Sequence, residues 1–76
     1  MITVKLYGLL RLDSGIKERQ LEAATVAQVL DYLEDQGISR KDLSGAVILV
    51  NSENANKRRK INDGDVVQLL SPVAGG

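Results

Sequence analysis

The chain has 76 residues, with 10 basic and 10 acidic side chains, no Cys and no His. This length leaves room for one small domain, near the lower limit that a single hydrophobic core can stabilise. The composition excludes disulfides, iron–sulfur clusters, thiolate zinc sites and cysteine nucleophiles, and it removes the commonest metal ligand and general base. Any chemistry would have to come from carboxylates, hydroxyls, lysines or the chain ends. We therefore expect no metal site.

No stretch approaches the roughly 20 apolar residues of a membrane span, and the N-terminus lacks the basic flank and apolar core of a signal peptide. A cytoplasmic protein with no membrane partner is the expectation. Balanced charge and only two aromatic residues, Tyr7 and Tyr32, argue against nucleic-acid binding, which requires a basic face and stacking platforms.

The chain is predicted to begin with a β-hairpin. Ile2, Val4 and Leu6 alternate with more polar residues, which is the period of a strand with one buried face. The polar stretch 13–15, which contains a glycine, is typical of a turn. A second strand over residues 17–23, in which Leu21 would point inward, completes the hairpin.

The main helix is predicted over residues 26–36. Thr25 is a suitable N-cap, and Gln28 three residues later completes a capping box. Gly37 stands where a left-handed C-terminal cap is needed. An apolar stripe with helical spacing would face the core, and it consists of Val26, Val29, Leu30 and Leu33.

Further strands are predicted in the second half of the chain. Residues 46–50 form an apolar, β-branched run that indicates a central strand buried on both faces, and residues 39–43 are compatible with a short helical turn before it. Residues 51–60 are polar and predict a loop with at most a short edge strand. Residues 66–70 are predicted to form the last strand. Regular pairing should stop near Pro72, because proline has no N–H to donate to a β-ladder.

This order of elements is that of an α+β, ubiquitin-like β-grasp domain, a mixed sheet of four to five strands with one main helix packed across it. By analogy with that fold, the first and last strands should lie side by side and parallel in the middle of the sheet. Residues 1–71 would form the domain, and residues 72–76 a flexible tail.

The sequence ends with Gly75-Gly76. Because glycine has no Cβ, such a backbone can enter a slot too narrow for other residues and present a terminal carboxylate there. Residues 72–76 can reach about 15 Å when extended at roughly 3.3 Å per residue. Pro72 would stiffen the tail where it leaves the domain. On composition alone, the alternative is a frayed end or an engineered remnant without function.

The C-terminal part of the chain contains Asp63-Gly64-Asp65, an apolar strand after it, and then Ser71-Pro72-Val73-Ala74-Gly75-Gly76. This pattern resembles the sulfur-carrier (MoaD/ThiS) family, which includes the small subunit of molybdopterin synthase and the thiazole-synthesis carrier. The start of the chain, residues 1–7, and the proline in the tail are most similar to the molybdopterin branch. That branch commonly has a pair of prolines and aromatic residues just before the tail, and the corresponding stretch of this chain is Leu69-Leu70-Ser71-Pro72.

The resemblance implies a carrier that is not catalytic alone and binds no cofactor. A ubiquitin-activating-type adenylating enzyme, similar to MoeB or ThiF, would use ATP to adenylate the carboxylate of Gly76. Sulfur would then displace AMP and leave a thiocarboxylate. The sulfur would pass to a precursor in a MoaE-like large subunit of molybdopterin synthase. Tail residues shaped for entry into these partners would be Pro72, Val73, Ala74 and Gly75.

A docking patch beside the tail is predicted from strand alternation. If Val67 and Leu69 fill the core, Leu70 turns to the other face, and Tyr7 lies on the polar side of the first strand. Tyr7 and Leu70 are therefore the candidate partner-docking residues. The alternative is that both are ordinary edge residues.

Two charged features have less specific interpretations. The basic cluster at residues 57–60 could contact a phosphate or an acidic partner, or simply be solvated. Asp31, Glu34 and Asp35 form an acidic helix face, for which a solubilising role is more typical than a metal or acid–base site.

Three other functions remain open. A ubiquitin-like modifier would use the same activated end to form an isopeptide bond with a lysine, and a thiazole or other-pathway sulfur carrier would share the adenylate. A plain binding module would have glycines that are incidental.

Overall fold

The computed structural model describes residues 1–71. Its five strands form one mixed sheet in the order β2-β1-β5-β3-β4, and the helices pack on one face of it. In chain order the elements are β1 (Ile2–Tyr7), α1 (Leu9–Ser14), β2 (Glu18–Leu21), α2 (Val26–Asp35), α3 (Arg40–Ser44), β3 (Val47–Val50), β4 (Glu53–Asn54) and β5 (Val66–Leu70).

The first and last strands form the parallel pair predicted for the middle of the sheet. The pairing runs from Thr3 opposite Val66 to Tyr7 opposite Leu70. β2 pairs antiparallel with the outer side of β1, and β3 pairs antiparallel with β5. This mixed sheet with one main helix confirms the ubiquitin-like β-grasp fold.

The core lies between the helices and one face of the sheet. Val4, Leu6, Val67 and Leu69 alternate with more exposed neighbours and are at most 1% exposed, as the period of two predicts. Three residues of the α2 stripe are completely buried against them, namely Val26, Val29 and Leu33, whereas Leu30 is only partly buried at its edge. Every fully buried side chain within residues 1–71 is apolar.

Both ends of α2 are capped near the predicted positions. The Thr25 hydroxyl accepts a bond from the Gln28 N–H, while the Gln28 side chain accepts one from the Ala24 N–H at 2.6 Å. At the other end, Gly37 has φ +101°, and the Ile38 N–H donates to the Leu33 carbonyl at 3.2 Å. That bond is typical of a Schellman motif, which requires a left-handed residue at this position.

The connection between β1 and β2 differs from the predicted hairpin turn. Residues 9–14 form the short helix α1, and the predicted turn contains its C-terminal end, with Gly15 in the left-handed conformation. The helix forms because it buries Leu10, which is 2% exposed, beside the core, followed by Ile16 at 5%. β2 is also shorter than predicted, although Leu21 points inward as expected.

The prediction that residues 46–50 form a central strand buried on both faces was wrong. β3 lies between β5 and β4, and only Val50 is fully buried, whereas Val47 is 46% exposed. The reason is that all the helices contribute to one core on one face of the sheet, so the other face of β3 meets solvent. β4 confirms the short edge strand. Within the described residues, no helix has the length and apolarity needed to cross a membrane.

Candidate functional site at the end of the central strand

The candidate site lies at the end of the sheet where the middle strand, β5, has its C-terminus. Because β1 and β5 run parallel, Tyr7 and Leu70 occupy the same end of the sheet, and Ser71 follows at once. The tail residues Pro72, Val73, Ala74, Gly75 and Gly76 come next in the sequence and lie outside the described residues. Their predicted roles therefore stay predictions.

Tyr7 and Leu70 belong to a row of apolar side chains on the helix-free face of the sheet, here called the open face. The row has three members because Val47 of β3 is the partner of Leu70 on its other side. Tyr7 and Leu70 are half-buried, and Val47 is exposed. The structure thus brings the two predicted docking residues together and adds Val47, which was missed because β3 was interpreted as buried on both faces.

The next row of the open face is more polar and holds the tyrosine in place. Lys5, Gln68 and Leu49 lie opposite one another on β1, β5 and β3. The Gln68 amide donates a hydrogen bond to the Tyr7 hydroxyl across 3.2 Å. This bond satisfies the polar end of Tyr7, while its apolar ring lies beside Leu70. Tyrosine is enriched at protein interfaces because its ring can be buried while its hydroxyl keeps a hydrogen bond.

Ser71 is attached to the loop that follows β1. Its hydroxyl accepts a hydrogen bond from the Leu9 N–H at 2.6 Å and is 3.4 Å from the Tyr7 carbonyl, to which it donates. Gly8 lies between these two partners with φ +65°. Sequence reasoning missed this attachment, because it joins residues more than 60 positions apart and no periodicity signals it.

The turn before β5 is fixed by a network of polar side chains. The Asp65 carboxylate accepts hydrogen bonds from the Asn62 N–H at 2.8 Å and from the Asn51 amide at 2.9 Å. These bonds favour the charged form and lower the pKa of Asp65, the backbone bond from Asn62 having the larger effect. The Asn51 side-chain oxygen accepts from the Val66 N–H, which ties the end of β3 to the start of β5.

The basic cluster at residues 57–60 lies at the end of the sheet opposite Ser71. Thr25 bridges to Lys60 just before α2, close to where β1 begins rather than where it ends. The carbonyls of Lys57 and Arg59 accept from the N–H groups of Ala27 and Val26 at 2.9 and 3.0 Å. The backbone of the cluster therefore caps the first turn of α2, a structural role that its charges did not indicate.

The acidic face of α2 is engaged in part with a neighbouring helix. Glu34 forms an ion pair with Arg40 of α3 at 2.9 Å, and both side chains are exposed, Arg40 more than Glu34. Exposed pairs of this kind contribute little to stability. Within residues 1–71, no group of three or more acidic side chains has an arrangement that could hold a metal ion.

Comparison with known proteins identifies a family that matches this chain. The model of the ThiS family matches residues 4–76. SAMP1 from Haloferax volcanii, a small archaeal modifier protein, shares the fold with a TM-score of 0.85 at 24% identity, over 99% of this chain and 98% of that one.

Two other solved structures contain a similar chain in a complex. The BexX/CysO complex of Amycolatopsis orientalis matches with a TM-score of 0.76 and 27% identity over 100% of both chains. The complex of subunits 1 and 2 of molybdopterin-converting factor from Helicobacter pylori 26695 matches with a TM-score of 0.75 and 24% identity, covering 99% and 97% of the two chains. No curated protein sequence gave a significant match.

Proposed function

This chain belongs to the ThiS family, and from that membership we propose that it is a sulfur carrier whose working group is the carboxylate of Gly76. A carboxylate is a poor acyl donor, because its charge is delocalised and its leaving group would be an oxide. A separate adenylating enzyme of the ubiquitin-activating type would convert it to an acyl-adenylate with ATP. A sulfur nucleophile would then displace AMP and leave a thiocarboxylate on Gly76.

The position of β5 is the observation that supports this proposal most directly. β5, the middle strand, has its C-terminus at one end of the sheet. The sequence Pro72-Val73-Ala74-Gly75-Gly76 follows it after a single residue. An extended stretch of five residues spans about 15 Å at roughly 3.3 Å per residue. That reach is enough to place a carboxylate inside a partner while the folded domain stays outside.

The open-face row of Tyr7, Leu70 and Val47 is proposed as the surface on which such a partner docks. It lies at the same end of the sheet as Ser71 and combines partly buried apolar side chains with one exposed valine. Tyrosine is one of the residue types enriched among the few that carry most of the binding energy at protein interfaces, and apolar neighbours such as Leu70 and Val47 would exclude water around it. The protein would have no catalytic activity alone, because the chemistry takes place in partner active sites.

We assign the carrier to molybdopterin synthesis, with a MoaE-like large subunit as the acceptor of the complex. The support is the proline-containing tail and the start of the chain, which resemble the molybdopterin branch. The fold shared with subunit 1 of molybdopterin-converting factor is consistent with this assignment. Sulfur delivery in another pathway is the nearest alternative, since CysO is also similar to this chain.

Protein modification is the second candidate function, favoured by the fold shared with SAMP1. A modifier would use the same adenylate, but a lysine amine of a target protein would attack it in place of sulfur. The two functions differ in product. A carrier gains one sulfur atom in place of one oxygen, whereas a modifier forms covalent adducts of higher mass.

The decisive experiment is intact-mass analysis after incubation with ATP, a ubiquitin-activating-type adenylating enzyme and sulfide. We expect a mass increase that matches replacement of one oxygen by sulfur at the C-terminus. A variant with one residue added after Gly76 is the matched control and should gain nothing. Sulfur uptake by the extended variant would refute the role of Gly76, and lysine-linked adducts in lysate would favour the modifier.

A further inference from the structure

We propose that Ser71 is a positioning residue for the tail. Its hydroxyl fixes the backbone at the residue that precedes the tail sequence, and so raises the affinity with which the tail enters a partner's active site. This inference rests on the proposed carrier function and extends it to a residue that neither carries sulfur nor contacts the reacting atoms.

The hydroxyl of Ser71 extends the attachment of β5 by one residue. Strand pairing between β1 and β5 ends at Tyr7 and Leu70. Beyond that pair, the Ser71 oxygen accepts from the Leu9 N–H at 2.6 Å and donates to the Tyr7 carbonyl at 3.4 Å. One side chain therefore binds the backbone on both sides of Gly8.

The same hydroxyl caps the start of α1. Gly8 occupies the N-cap position and has no side chain to offer, so the first N–H of the helix, that of Leu9, has its partner in Ser71. The first N–H groups of a helix have no partner within the helix and need one from outside it. The bond thus connects the stability of α1 with the position of Ser71.

Gly8 is shaped for this contact. Its φ of +65° disfavours any residue with a side chain, and a Cβ placed on it would lie 2.5 Å from the Ser71 oxygen. A glycine is needed here for the backbone conformation and for the close approach together. The pair Gly8 and Ser71 forms a fitted contact at the base of the tail.

The expected effect on the reaction follows from conformational entropy. If Ser71 is held in the free protein, residue 71 loses no conformational freedom when the tail enters a partner. In a variant without the hydroxyl, residue 71 must be ordered on binding, which costs free energy. We expect Ser71→Ala to raise KM for the carrier in the adenylation reaction about tenfold and to leave kcat within about twofold.

The test compares three variants of the full chain with a free Gly76. Ser71→Ala removes the hydroxyl and Ser71→Thr retains it. Ser44→Ala removes an exposed hydroxyl whose one hydrogen bond within residues 1–71 is to the Lys41 carbonyl in α3. Thiocarboxylate formation with the adenylating enzyme, ATP and sulfide gives KM and kcat for each. The amide proton resonance and hydrogen exchange of Leu9, measured by NMR on the carrier alone, report the bond itself.

Each result has one meaning. The inference predicts that Ser71→Ala shifts the Leu9 resonance upfield and raises KM, while Ser71→Thr and Ser44→Ala behave like the wild type. An unchanged Leu9 resonance in Ser71→Ala would overturn the attachment, and a normal KM, or a loss confined to kcat, would overturn the positioning role. A wild-type chain that gains no sulfur would instead overturn the proposed function, and the positioning role with it.

Discussion

Tyr7 and Leu70 are paired residues at the last position of the parallel β1–β5 ladder, and both side chains project from the open face of the sheet. Residues that lie 63 positions apart in the sequence thereby form one surface beside the start of the tail. If a partner docks on this surface, truncation of either side chain should lower its affinity by a measurable amount.

Truncation of Leu70 should weaken docking more than it weakens the fold. We expect Leu70→Ala to reduce affinity for the adenylating enzyme by roughly fivefold to thirtyfold, equivalent to about 1–2 kcal/mol, because an apolar contact beside the tail is lost. Isothermal titration calorimetry with the folded variant measures this. Leu12→Ala is the matched control, since Leu12 is 76% exposed on α1 and lies outside the open face. Equal losses in both variants would contradict the assigned surface.

The left-handed residue after α2 should matter for stability. Gly37→Ala places a Cβ on a residue with φ +101°, and we expect a loss of about 1 kcal/mol in the free energy of unfolding, measured with urea. Gly45→Ala provides the comparison, because that glycine has φ −89° and only ordinary contacts around a new Cβ. It should be neutral or slightly stabilising. A neutral Gly37→Ala would argue against the C-terminal cap.

The turn before β5 predicts a dependence of stability on pH. Because the pKa of Asp65 is lowered by bonds from Asn62 and Asn51 that exist only in the folded chain, its contribution is present above the unfolded pKa. It is lost as the pH falls through the folded pKa. When the pH is lowered from about 6 to about 2, the free energy of unfolding of Asp65→Asn should therefore fall less than that of the wild type, as measured by urea titrations.

The exposed residue Asp13 provides the control for that experiment. Asp13→Asn also removes one carboxylate but leaves the Asp65 network intact, so it should follow the wild-type curve. A wild-type pH dependence in Asp65→Asn would show that the network does not act through its charge.

The basic cluster should be dispensable for loading of the tail. Replacing Lys57 and Arg58 by Gln keeps the backbone carbonyls that cap α2 and removes charge at the end of the sheet opposite Ser71. We expect KM in the adenylation assay to stay within about twofold, and the urea midpoint to change little. A rise in KM that disappears at high salt would instead identify the cluster as an electrostatic partner contact.

Elements with a clear period were predictable from the sequence, whereas those fixed by tertiary contacts were not. β1, α2 and β5 combine regular apolar spacing with cap or turn residues, and the structure confirms them. α1 was missed because a helix of six residues shows little period, and its one buried side chain, Leu10, gains its meaning only from the core. β3 was misjudged because an apolar run does not reveal that one face of the sheet has no helices over it.

The candidate site shows the same division. Strand alternation placed Tyr7 and Leu70 on one face, since each lies one residue from a buried neighbour. Val47 joined them only through pairing with β5, and the contact of Ser71 with Leu9 depends on a glycine conformation that no local pattern specifies. Residues whose position follows from strand alternation were therefore predictable from the sequence, whereas those brought together by pairing between distant strands were not.

The central place of β5 in the sheet has a consequence for biosynthesis. On a ribosome, β1 is made before β5, and its parallel neighbour follows only after residue 65, so the middle of the sheet cannot form until β5 has been translated. Pairing between such distant segments is intrinsically slow. A nascent chain that stalls before β5 would lack the central strand of its sheet and stay unfolded, so the domain assembles only when translation has passed Leu70.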